Sequence, residues 1–113
     1  MTSYTNGLFA EWLARMYLRL HGFRIISSRY ITGRNTHRAE IDIIAKRGNL
    51  IIFVEVKSRK TITAAWGAIT PIQERRLRLA AESFLMKKHW RGNARFDVII
   101  VNRLRLHWIK NAI

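Results

Sequence analysis

The sequence predicts an α/β fold, a mixed sheet of about five strands flanked by helices, in a single domain spanning residues 1–113. Three observations lead there. Two long segments repeat apolar residues at helical spacing, and five short ones are rich in β-branched and aromatic residues. Their order is helix, three strands, helix, two strands. A chain of 113 residues buries roughly two-thirds of its unfolded surface and leaves no room for a second core.

The first helix is expected from Leu8 to His21, capped by Asn6 or Thr5 and ended by Gly22. Leu8, Phe9, Trp12, Leu13, Met16, Tyr17 and Leu20 form the stripe expected to face the core. Phe23 to Tyr30 reads as a strand, and Ile31 to Arg38 as a basic loop around Gly33 and Asn35. Ala39 to Arg59 is a hairpin turning at Gly48-Asn49. A loop with Trp66 and Gly67 leads to "TPIQ", with Thr70 as N-cap, Pro71 at the first helical position and Gln73 placed for a capping box. This second helix is expected to bury Leu77, Ala80, Ala81, Phe84 and Leu85. Gly92 turns the chain into two closing strands, Phe96 to Val101 and Leu104 to Ile109.

Composition narrows the function. Twenty-one Lys and Arg against seven Asp and Glu give a net charge of +14, an excess that points to a polyanion and hence to nucleic acid. No apolar run approaches the roughly 20 residues that cross a bilayer, so no membrane is expected. "MTSYTNG" has no signal-peptide pattern, and a cytoplasmic location is expected. With no cysteine, disulfides, thiolate nucleophiles and cysteine-ligated metals are excluded. His21, His37, His89 and His107 lack metal-ligand spacing. Asp97, between apolar strand residues, suits a structural pair with an arginine.

Three of the seven acids, Glu40, Asp42 and Glu55, lie in the most apolar segment, with Lys57 two residues beyond Glu55 on the same strand face. A two-residue turn makes Arg47 face Leu50 and sets Asp42 opposite Glu55 and Glu40 opposite Lys57. A four-residue turn leaves Asp42 diagonal to Glu55, still on that face. Carboxylates roughly 4.5–5.5 Å apart at Cβ repel. A hard divalent cation would reconcile them, since Mg²⁺ is commonly held by one or two carboxylates with phosphate and water. The competing reading is a set of ordinary salt bridges such as Glu40–Lys57.

"GLFAEWLARMYL", "EIDIIA", "FVEVKSR", "ITPIQERRL" and "RFDVIIV", in that order and over nearly the whole chain, resemble the bacterial YraN family of the restriction-endonuclease-like PD-(D/E)XK superfamily, which is related to archaeal Holliday-junction resolvases. The resemblance implies a restriction-endonuclease-like fold and metal-dependent phosphodiester hydrolysis in structured or branched nucleic acid, DNA in the first instance. It implies Asp42 and Glu55 as ligands of Mg²⁺ or Mn²⁺, Lys57 as catalytic lysine, and Glu11 as a first-helix acid that joins the metal. Helical spacing alone sets Glu11 beside Gly7, Ala14 and Leu18, off the apolar stripe. Ala39 stands where the family usually has glycine, and Gln73 where it often has lysine. Arg34, His37, Arg38, Gln73, Arg75, Arg76 and Arg78 are the expected nucleic-acid contacts, with Trp66 the tryptophan placed to touch a base. Leu104, Leu106, Trp108 and Ile109 suggest a homodimer through the last strands. The alternatives are a non-catalytic binding module on the same fold and a protein that recruits another factor.

Overall fold

The computed structural model describes residues 3–32, 39–58 and 70–112, with the side chains of residues 3–6 left aside. It has the expected order: α1 (Ser3–Leu20), β1 (Arg24–Thr32), β2 (Ala39–Arg47), β3 (Leu50–Ser58), α2 (Pro71–Lys87), β4 (Asn93–Asn102) and β5 (Arg105–Ile109). The strands form one sheet in sequence order. Its pairs are antiparallel except β3–β4, which is parallel because α2 supplies the crossover. The basic loop residues Arg34, His37 and Arg38, and Trp66, lie outside the described residues.

A helix covers each face. Ile52 and Val54 of β3 pack with Ala10, Ala14 and Leu18 of α1, while Ile51 and Phe53 pack with Leu77, Ala80, Ala81 and Phe84 of α2. Thr70 begins α2 as the sequence indicates: its Oγ1 accepts from Gln73 N at 3.1 Å, and Gln73 Oε1 accepts from Thr70 N at 3.0 Å. Only glycine fits at position 92, where an added Cβ would collide with the Asn49 side chain and lie 2.7 Å from its carbonyl oxygen. The backbone N–H of Asn93 donates to that oxygen at 2.8 Å.

The expected core stripe of α1 is largely on the wrong side of the helix. Leu8, Phe9, Trp12, Met16 and Leu20 are exposed; Leu13 and Tyr17 are partly buried. The buried line is Ala10, Ala14 and Leu18, also at i, i+4, i+8. This helix is apolar on most sides, and two alanines let its backbone lie closer to the sheet than Trp12 and Met16 would. Leu106 and Trp108 pack onto the α1-side core and Ile109 onto Val98 and Ile100, so of the residues that suggested a dimer only Leu104 is exposed.

Asp97 is fully buried and takes four hydrogen bonds. Arg95 donates from Nε and Nη2 at 2.8 Å each, Trp108 Nε1 at 2.8 Å and the backbone N–H of Asn111 at 2.9 Å. The arginine pair expected from the sequence is therefore also the anchor of the C-terminal tail.

Candidate metal centre

The turn at Gly48-Asn49 is the two-residue one, with Arg47 paired to Leu50. Gly48 has φ +57, the left-handed conformation such turns need. The β2–β3 ladder runs from there to Ile43↔Val54 and stops. At the next level Asp42 Oδ2 accepts the backbone N–H of Val56 at 2.8 Å. A side chain thus takes a ladder donor where the strands part.

The parting comes with a change of face. Ile43 and Ala45 point to the α1 side, yet Ile41 and Ala39 join the α2 side, so strict alternation breaks across Asp42. The neighbouring strand turns over at the same level: Arg29, between the pairs Ser28↔Ile43 and Tyr30↔Ile41, has φ +56. Asp42 is thereby brought against Glu55 although the regular ladder has ended.

Burial pushes the Asp42 carboxyl up to about 8, from an ordinary 3.8. The Glu55 charge adds to this, the hydrogen bond from Val56 opposes it, and the Glu11 charge raises it further. Glu55 is also raised, chiefly by burial, with Lys57 pulling the other way. Lys57 Nζ lies 3.2 Å from Glu55 Oε1, both side chains about 15% exposed. Near neutral pH the raised Asp42 carboxyl keeps its proton, which relieves the repulsion between the two acids, while Lys57 pairs with Glu55.

Glu40, Glu55, Lys57, Ala39, Gln73, Arg76 and Leu77 line an open cavity of about 160 Å³ between this parting and the first turns of α2. Of the cations expected on α2, Arg76 borders the cavity, Arg75 is exposed, and Arg78 is turned away to pair with Glu74 at 3.2 Å and stack on Phe96. Gln73 reaches the cavity while its side-chain oxygen is held by the cap. Glu11 is not solvated: its carboxylate takes Arg29 Nε at 3.1 Å and Nη2 at 3.2 Å. Sequence reasoning missed Arg29, since nothing local marks a strand arginine as left-handed. For Glu11 the clue was its neighbours Ala14 and Leu18, which are buried. Among the described residues no group of three or more His, Asp or Glu side chains is close enough to hold a metal; the assembled donors are the pair Asp42 and Glu55.

The raised Asp42 carboxyl has a consequence for stability. The folded chain keeps a proton that the unfolded chain releases, so the contribution is full below about pH 4 and is lost as pH rises toward about 8. Without metal, wild type should lose stability relative to Asp42→Asn as pH rises across that window. Urea melts of both proteins at several pH values in chelator check this, and parallel pH dependences would contradict it.

Fold and site together define a small α/β protein with a half-buried carboxylate pair and an adjoining lysine set where its sheet parts. The chain belongs to the uncharacterised protein family UPF0102, whose profile matches residues 10–101. A UPF0102 protein of Paramagnetospirillum magneticum is 40% identical, covering 89% of this chain and 80% of the relative. One from Mesorhizobium japonicum is 41% identical over 88% and 78%, and one from Bartonella bacilliformis 41% over 92% and 84%.

Proposed function

We propose that this protein is a restriction-endonuclease-like, divalent-cation-dependent nuclease that cleaves phosphodiester bonds in structured or branched nucleic acid. The observation that carries the reading is the closeness of Asp42 and Glu55, half-buried and beside Lys57, at the point where the β2–β3 ladder ends. Two hard oxygen donors suit Mg²⁺ or Mn²⁺, which take one or two carboxylates and leave other positions to phosphate and water. Asp42 and Glu55 would hold the ion. When bound, it supplies Lewis-acid polarisation of the phosphodiester and acidifies an attacking water.

The chain's own residues do the rest. Asp42 must give up its proton to become a ligand, so metal affinity rises with pH, by up to about tenfold per unit below pH 8. Glu55 holds Lys57 Nζ in place, where its positive charge stabilises charge that develops on a phosphate. Across the cavity, Gln73 contributes a neutral amide donor and Arg76 a cation. The non-catalytic binding module remains the second reading, on a specific observation: among the described residues every buried side-chain N or O atom already has a hydrogen-bond partner.

The test is incubation with labelled linear, flapped and four-way-junction substrates in Mg²⁺, Mn²⁺ or chelator. Metal-dependent cleavage is the expected result; absence of cleavage together with a melting temperature indifferent to both metals would leave the binding module. Binding in chelator should be chiefly electrostatic. With about six phosphates neutralised, log K should fall against log salt with a slope near −5, and salt-independent affinity would count against any nucleic-acid role.

A further inference from the structure

Arginine is an unfavourable residue for position 29. The backbone there has φ +56, a conformation that glycine adopts freely and that a long side chain rarely takes. The guanidinium grips Glu11, with Nε and Nη2 at 3.1 and 3.2 Å from its two carboxylate oxygens. The arginine side chain is 40% exposed, and an ion pair so open to water adds little stability. A disfavoured backbone kept for a weak ion pair points to a role other than holding the fold.

The place of Arg29 in the sheet indicates that role. Between the pairs Ser28↔Ile43 and Tyr30↔Ile41, it stands across from Asp42. Glu11 reaches it from α1, and the Glu11 charge is felt at Asp42. Glu55, held by Lys57 at 3.2 Å, acts on Asp42 from β3. Asp42 lies past the last β2–β3 bridge, Ile43↔Val54, so the two faces of the sheet are not walled off from each other at its level. Three carboxylates therefore converge on the parting, and the outer two are each taken by a basic side chain.

On the metal-centre reading, we propose that Arg29 is a positioning residue whose guanidinium holds the Glu11 carboxylate apart from Asp42 and Glu55 until a divalent cation occupies the pair. Glu11 then leaves Arg29 and becomes a third oxygen donor. Hard cations gain affinity from each added carboxylate, and a bidentate guanidinium is a strong competitor for the same oxygens. Glycine at position 29 would suit the backbone but leave Glu11 without its counter-charge, and like charges brought together on neighbouring strands repel.

The experiment reads cation affinity, not cleavage. Mn²⁺ is titrated calorimetrically at a fixed pH into wild type, Arg29→Gly, Glu11→Gln and the double variant, without nucleic acid. Arg29→Gly should bind Mn²⁺ about tenfold more tightly than wild type, because Glu11 no longer has to be won from a guanidinium. In the Glu11→Gln background the same change should alter affinity by less than about twofold. Arg29→Asn, neutral and also tolerant of a left-handed backbone, should match Arg29→Gly, so the result does not hang on one variant folding. Arg29→Lys keeps a positive charge but not the bidentate grip and should fall between these and wild type. A gain of equal size with and without Glu11 would reflect only the loss of a nearby charge and overturns the proposal. Unchanged or weaker Mn²⁺ binding in Arg29→Gly and Arg29→Asn, with wild type binding normally, overturns the role of Arg29 alone. Failure of wild type and every position-29 variant to bind Mn²⁺ would overturn the metal centre and this proposal with it.

Discussion

Asp42→Asn should abolish Mg²⁺ and Mn²⁺ binding and all cleavage, and the same substitution should make the metal-free protein more stable at pH 8. The two effects share one cause. Asparagine keeps an oxygen for the Val56 N–H, so the end of the ladder survives. It removes the group whose charge burial and Glu55 both oppose, and the gain should be about 1 kcal/mol on the scale of like charges facing across strands. Asparagine is also a much poorer ligand for a hard cation than a carboxylate. Glu55→Gln should behave differently. It too should end metal binding, but it strips a largely buried Lys57 of its partner and should cost about 1.5–3 kcal/mol without metal. Thermal melts and metal titrations of the three proteins, in chelator and then in excess Mn²⁺, measure both quantities. Destabilisation of equal size in both variants, with wild type unresponsive to metal, would refute the assignment.

Asp97→Ala should be the most damaging single change to stability, at about 3–5 kcal/mol, through loss of one partner of a buried ion pair. Arg95 is partly exposed and can turn to water, but Trp108 Nε1 and the Asn111 N–H would be left facing a void. For a domain of this size the melting temperature should fall by roughly 10–20 °C. Asp97→Asn retains an acceptor for one or two of the four donors and should cost clearly less. Denaturant melts of both variants read this directly. A loss below 1 kcal/mol in Asp97→Ala would mean that the tail is not anchored there.

Much of the architecture was legible because it rests on local chemistry. Period-two and period-3.6 patterns placed all seven elements, and Thr70-Pro71 with Gln73 marked the start of α2. Gly48-Asn49 marked the hairpin turn, and either turn length open to the sequence keeps Asp42 and Glu55 on one face; the structure takes the two-residue turn. The acids were conspicuous for another reason: a carboxylate among isoleucines and valines needs a compensating partner wherever the chain folds.

Two features were decided only by the packed structure. α1 has two apolar lines at the same spacing, and no periodicity distinguishes them. The sheet chose Ala10, Ala14 and Leu18, because close approach depends on the bulk that faces the neighbour, and this turned Glu11 inward and Trp12 outward. The site itself depends on Arg29 and Asp42 breaking the alternation of adjacent strands together. Strand alternation is a property of one segment, but a coordinated turnover is a property of two strands and the helices above and below them. From the sequence by itself came the fold class, the turn and the identity of the scarce acids. Tertiary structure decided which acids meet: Asp42 and Glu55 are forced together by the ended ladder, while Glu11 is held by an arginine 18 residues away.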